Sequence, residues 1–236
     1  MIRFYSPDIA DSLKLPEGES GHCCRVLRLK EGAEINVVDG KGFSYECRLT
    51  NANPKGAEVE ILSSKAEEKY WKGRIVMAVA VTKNIDRIEW LLEKAVEIGV
   101  DEIALLVCDR SERRKVNEER MEKILVSAMK QSLKATLPEY HGLEKLSAFL
   151  SRCDTMYKYM GYCDEKTERR ELAKEYPGNA DVTILIGPEG DFSPEEVERA
   201  FKAGFMPVTF GNTRLRTETA ALYGLTALHV INNATS

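Results

Sequence analysis

Ile184-Leu185-Ile186-Gly187-Pro188-Glu189-Gly190-Asp191-Phe192-Ser193-Pro194-Glu195-Glu196 reads as an apolar strand that enters a tight glycine turn and leaves it as a helix. The helix start is explicit: Ser193 suits the N-cap, Pro194 the first helical position, and Glu196 completes an S-x-x-E capping box. Gly187 and Gly190 permit positive φ and a close approach of backbone to a ligand, so the turn can present amides and carbonyls to a polar small molecule. On these residues alone an ordinary strand-to-helix connection is an equal reading. Neither GxGxxG nor GxxxxGK[ST] is present, which speaks against a phosphate cradle.

Outward from this turn the same alternation recurs. Apolar strands are expected at Ile75–Val81, Glu102–Val107, Thr155–Met160, Val182–Ile186 and Pro207–Phe210, with helices near 84–99, 117–133, 194–203 and 219–231. The helix between the cap Asn84 and the stop Gly99 carries the stripe Ile85, Ile88, Leu92 and Ala95. Such alternation predicts an α/β domain with a mostly parallel sheet covered on both faces, in which ligands lie beyond the carboxyl ends of the strands. A second loop, Phe210-Gly211-Asn212-Thr213-Arg214-Leu215-Arg216-Thr217-Glu218-Thr219, repeats the pattern of strand end, glycine turn, polar residues and helix. Arg214, Arg216 and Glu218 either pair on the surface or line a site shared with the first loop.

The N-terminal part reads differently. Glu34–Asp39, Phe43–Thr50 and Ala57–Ser63 are short β-rich segments separated by turn formers, which predicts a small antiparallel barrel or sandwich. Ahead of them, Ser20–Leu29 suggests a short helix with a basic side. The polar stretch Ser63–Lys72 is the natural linker, giving domains of 1–70 and 71–236.

Composition bounds the function classes. A chain of 236 residues with 43% apolar content buries a core unaided, and no apolar run approaches the roughly 20 residues that cross a bilayer. Cys23, Cys24, Cys47, Cys108, Cys153 and Cys163 show no CxxC pairing, and His22, His141 and His229 are far apart, so reduced structural thiols and no metal are expected. With no secretory-type leader visible, the reading is a cytoplasmic protein without a membrane partner. A net charge of −4 argues against a uniformly basic coat, although local clusters decide phosphate affinity.

GPEGDFSPEE (187–196) together with FGNTRLRTETAAL (210–222) resembles the RsmE family of ribosomal RNA uridine methyltransferases. HCCRVLRLKEGAEI (22–35), KNIDRIEWLLEKAVEIGVDEI (83–103) and MKQSLKATLPE (129–139) resemble its other motifs, so the likeness spans nearly the whole chain. The resemblance implies an N-terminal PUA-like β-barrel and a C-terminal SPOUT domain with a trefoil knot, which periodicity does not reveal. It implies S-adenosylmethionine as cofactor, held by Ile186, Gly187, Pro188, Glu189 and Gly190 and by Phe210, Gly211, Leu215, Arg216, Thr217 and Thr219, with a third loop after Met160-Gly161. The expected product is 3-methyluridine in 16S ribosomal RNA or the small ribosomal subunit, with Glu218 as general base and Arg216 as partner for charge on the uracil oxygens. Arg25, Arg28, Arg110, Arg113 and Arg114 are the expected RNA contacts, and a homodimer is implied.

Three departures stand out: Asp191 where the family usually has glycine, Thr213-Arg214 where an arginine comes one position earlier, and Leu133-Lys134 where glycine and arginine are common. Two other readings fit the same residues. One is a SPOUT enzyme acting on another base or a ribose 2′-hydroxyl; the other is a non-catalytic RNA-binding assembly factor.

Overall fold

The apolar runs Ile75–Ala80 and Val182–Ile186 are buried at every position, which requires cover on both sides of the sheet that holds them. A computed structural model describes residues 2–162 and 170–235. In chain order the elements of its first part are β1 (Arg3–Tyr5), α1 (Ile9–Ser12), α2 (Glu17–Gly21), a π-helical turn (His22–Val26), β2 (Glu34–Val38), β3 (Phe43–Asn51) and β4 (Glu58–Ala66). There follow β5 (Ile75–Ala80), α3 (Ile85–Ile98), β6 (Glu102–Val107), α4 (Glu118–Gln131), β7 (Glu139–Lys145), α5 (Leu146–Arg152) and β8 (Tyr157–Gly161). The chain ends with β9 (Arg170–Glu171), α6 (Leu172–Glu175), β10 (Val182–Ile186), α7 (Pro194–Lys202), β11 (Met206–Thr209) and α8 (Thr217–Ala234).

Two compact units result, Met1–Lys69 with Val126–Leu137, and Tyr70–Leu125 with Pro138–Ser236. The sequence places 126–137 wholly in the second domain. Its backbone belongs with the first because the Gly42 amide donates to Ala135 O (3.1 Å) and the Leu137 amide to Gly40 O (2.9 Å), while Arg3 reaches Leu133 O (2.7 Å) and Lys130 pairs with Glu19.

In the first unit the strands pair in the order β1-β2-β3-β4. β2, β3 and β4 are antiparallel as expected, but β1 joins parallel to β2, so the sheet is mixed. Its core gathers Phe4, Ile9, Leu15, Val37, Cys47 and Leu49 among others. The expected basic helix is the short α2 continued by the π-helical turn, which leaves Arg25, Val26 and Arg28 exposed.

The second unit is a seven-stranded, all-parallel sheet in the order β7-β6-β5-β10-β8-β11-β9. Val76, Ala78, Ala80, Leu106 and Leu185 face Phe149 of α5 and Val197 and Ala200 of α7 in one core cluster. α3 and α8 pack together, and α8 lies on β5 and β10. α3 starts where Asn84 accepts from the Asp86 amide (3.0 Å) and stops at Gly99 (φ +121°). α7 carries the full capping box of Ser193 and Glu196 with Pro194 at its start. Among the described residues no helix is long and apolar enough to cross a membrane.

Candidate active site at the carboxyl ends of three strands

β8, β10 and β11 are neighbours in the parallel sheet and end side by side at Gly161, Ile186 and Thr209. Just beyond these ends lies a cavity of about 460 Å3, within the range of small-ligand sites. Ile186, Gly187, Pro188 and Glu189 line it from the first glycine loop, and Phe210, Gly211, Leu215, Arg216 and Thr217 from the second. Nine of the expected cofactor-loop positions thus converge on one space, where a parallel sheet offers its ligand crevice. The two loops are tied by the buried Thr217 hydroxyl, which donates to Gly187 O (3.0 Å). Glu189 accepts from the Lys83 amide (3.1 Å), fixing the first loop against the segment after β5. Gly161 and Tyr162 contribute from the end of β8; the rest of the expected third loop, 163–169 with Cys163, lies outside the described residues.

The first loop departs from expectation in its backbone. Positive φ occurs at Asp191 (+60°) and at neither Gly187 nor Gly190. Gly187 is required for another reason: a Cβ there would stand 2.8 Å from the ring of buried Phe192. At Gly211 φ is +112° and, among the described residues, no atom lies within 4 Å of a Cβ position, so backbone is presented to the cavity it lines. Gly190 is not a lining residue; its carbonyl accepts from Arg110 Nη1 (3.0 Å).

Thr219 and Glu218 line an adjoining, more open cleft of about 590 Å3 that shares Arg87, Arg214, Leu215 and Arg216 with the first cavity. Glu218 is buried at the start of α8. Its Oε1 lies 3.6 Å from Arg87 Nε, and its buried Oε2 has no hydrogen-bond partner among the described residues. Arg214 and Arg216 are exposed. Arg87 and Trp90 escape a sequence reading that follows only the apolar stripe of α3, although their i, i+3 spacing places them on one face.

The expected RNA contacts fall in two places. Arg25 and Arg28 are exposed on the first unit. In the second, Arg113 spends two donors on Lys83 O (3.1 and 2.8 Å) and Arg114 donates to Asp109 O (2.9 Å). With Arg110 on Gly190 these arginines brace loops, and each keeps further guanidinium donors for other partners.

Cys23, Cys24, Cys47, Cys108 and Cys153 carry free thiols. Burial pushes Cys23 up to about 12 and Cys47 up to about 11. Cys108 is raised further by burial with Glu196 and Asp109 beside it, so none of the three is a ready nucleophile. Glu102, Glu139 and His141 come close enough to hold a metal ion. Buried Glu102 is however already engaged by Arg74 and by Arg152 (2.5 Å).

Residues 69–229 match the RNA methyltransferase domain, and residues 15–62 the RNA methyltransferase PUA domain. A solved structure of a probable rRNA-methyltransferase from Porphyromonas gingivalis is similar at a TM-score of 0.92 and 40% identity, covering 100% of both chains. The ribosomal RNA small subunit methyltransferase E of Neisseria gonorrhoeae, solved bound to S-adenosyl methionine, is similar at a TM-score of 0.85 and 29% identity, over 98% of this chain and 97% of that one. The ribosomal RNA small subunit methyltransferase E of Bacillus subtilis is 25% identical over 231 residues, 93% of this chain and 90% of its own. With both domain matches in order and relatives of one name along almost its whole length, the chain belongs to the RNA methyltransferase family, within the ribosomal RNA small subunit methyltransferase E group, and is a methyltransferase enzyme.

Proposed function

We propose that this protein transfers a methyl group from S-adenosylmethionine to N3 of a uridine in 16S ribosomal RNA. The observation that carries the reading is the convergence of both glycine loops on one cavity, with the buried carboxylate of Glu218 in the adjoining cleft. The cavity suits the cofactor: backbone at Gly211, the apolar side chains of Ile186, Phe210 and Leu215, and about 460 Å3 of space. The N. gonorrhoeae and Legionella pneumophila relatives were solved with S-adenosylmethionine bound.

When bound, S-adenosylmethionine supplies a methyl group on a positively charged sulfur, whose departure as a neutral thioether takes up the bonding electron pair. The chain supplies alignment. Orienting nucleophile and methyl in line contributes on the order of 7–11 kcal/mol to such a step. Uridine N3 carries a proton and sits on the base-pairing edge, so the base is received unpaired, at a cost of a few kcal/mol. Glu218 accepts the N3 proton, and Arg216 stabilises the negative charge that spreads to the uracil oxygens. Arg25, Arg28, Arg110, Arg113 and Arg114 hold the RNA through its phosphates, which positions it without reading sequence. The same reading carries the trefoil-knotted path, a homodimer and a cytoplasmic setting.

The test is incubation of the purified protein with methyl-labelled cofactor and small ribosomal subunits, followed by nucleoside analysis. Label in 3-methyluridine is expected. Label in a ribose-methylated nucleoside or another base overturns the N3 assignment, and cofactor binding without transfer to any RNA favours an assembly role.

A further inference from the structure

Glu218 presents an unmet chemical demand. Its side chain is only 8% exposed, and among the described residues its buried Oε2 has no hydrogen-bond partner and its one ion pair is with Arg87, 3.6 Å from Oε1. On the wall of a cleft, a buried carboxylate oxygen in this state has acceptor capacity that a ligand donor can fill. The cleft it lines is also lined by Arg87, Arg214 and Arg216 and by Trp90, which is 48% exposed on α3. Among the described residues the only other acidic side chain lining the cleft, Asp86, is exposed to solvent.

We infer that this cleft is a nucleobase subsite selective for the imide edge of uracil, with Arg87 as a specificity residue and Trp90 as the stacking face. The inference deepens the proposed uridine methylation and rests on it. Uracil shows acceptor, donor, acceptor along its pairing edge: O4, N3–H and O2. The cleft offers one buried acceptor, Glu218, in company with the donors of Arg87 and Arg216. Cytosine turns a lone pair at N3 and an amino group at C4 toward the same groups, leaving the carboxylate facing an acceptor and a guanidinium facing a donor. Guanine has an N1–H, but flanks it with one acceptor and one amino donor. Sites built on buried polar groups reject ligands that leave those groups unpaired. Trp90 adds an aromatic face, and stacking tolerates any base. Selectivity thus comes from Arg87, Glu218 and Arg216, and retention from Trp90. In the transfer step the N3–H bond breaks with its proton passing to Glu218. The N3 electron pair then forms the N–CH3 bond as the S–CH3 bond breaks and its pair stays on sulfur.

The test is a tryptophan-fluorescence titration of the full-length protein, saturated with S-adenosylhomocysteine, with uridine 5′-monophosphate and with cytidine 5′-monophosphate. Trp71, the other tryptophan, is nearly buried and gives the constant background. The expected result is quenching with at least five-fold preference for the uridine nucleotide, abolished in Trp90→Phe. Arg87→Met and Glu218→Gln bring the two nucleotides to equal affinity, while Arg87→Lys, which keeps the charge, restores part of the preference. Trp90→Phe retains its cofactor affinity, since that residue does not line the cofactor cavity. Equal quenching by both nucleotides in the parent protein overturns the inference, as does unchanged preference in Arg87→Met. A preference for the uridine nucleotide in a protein that makes no 3-methyluridine overturns the proposed reaction and leaves the subsite standing. The converse leaves the reaction standing and removes the subsite.

Discussion

Two of the positions where this chain departs from its family turn out to share one backbone property. Leu133 and Asp191 both stand where glycine is usual, and both adopt positive φ, +55° and +60°. Asp191 tolerates the region and accepts from the Phe192 amide at Oδ1 (2.8 Å). Leu133, half exposed, has no such compensation from its side chain. Left-handed backbone costs a non-glycine residue roughly 1–2 kcal/mol, partly offset by the extra freedom glycine has when unfolded. Leu133→Gly is therefore expected to stabilise the protein by about 0.5–1 kcal/mol in urea unfolding, and Asp191→Gly to give less or nothing. The residue types of the loops were legible in the sequence, but their reasons were not. Gly187 is set by the Phe192 ring packed against it, a tertiary contact invisible to local reading. Arg87 entered the site only when α3 and α8 were brought together.

At the scale of elements, legibility followed pattern strength. β5 is a continuous apolar run, and β6 and β10 are apolar but for Glu102 and Thr183, and all three lie where the sequence puts them; α3 and α7 are announced by their caps. β7, Glu139–Lys145, has neither alternation nor an apolar run because it is an edge strand, and α5 is only seven residues long, so both were missed. β1 was missed for its three residues. The Ser193 cap also donates to Asp109 Oδ2 (2.8 Å), which joins the start of α7 to the loop after β6. Ser193→Ala removes both bonds and is expected to cost about 1–2 kcal/mol of stability in the same unfolding assay. Methyl transfer at saturating substrates stays near the parent rate if the cap is only structural.

For the whole molecule, the change from short β-rich segments to strand-helix alternation is legible in the sequence, whereas the grouping of Val126–Leu137 with the first compact unit depends on backbone pairing with Gly40 and Gly42. Net charge conceals local clusters. If Arg25 and Arg28 contact phosphates, replacing each by alanine lowers the slope of log affinity against log salt by about one, with little change in sequence preference. Filter binding to 16S RNA across a salt series measures this; an unchanged slope removes them from the interface. Alkali acts on the core. Burial raises Cys23 to about 12 and Cys47 to about 11, above the ordinary thiol value near 9. The unfolded chain thus loses these protons first, and the stability they contribute is intact below pH 9 and lost as pH rises through 11 to 12. Unfolding free energy should fall over that window, less steeply in Cys47→Ala.

The most direct measurement is nucleoside mass spectrometry of 16S RNA from cells lacking this protein, complemented with the parent chain or with Glu218→Gln. The expected result is loss of 3-methyluridine in the deletion and its return with the parent chain. The purified Glu218→Gln variant should bind cofactor normally while kcat/KM falls on the order of 10²–10⁴-fold. Unchanged 3-methyluridine in the deletion would contradict the N3 assignment, and full activity in Glu218→Gln would contradict the role given to its carboxylate.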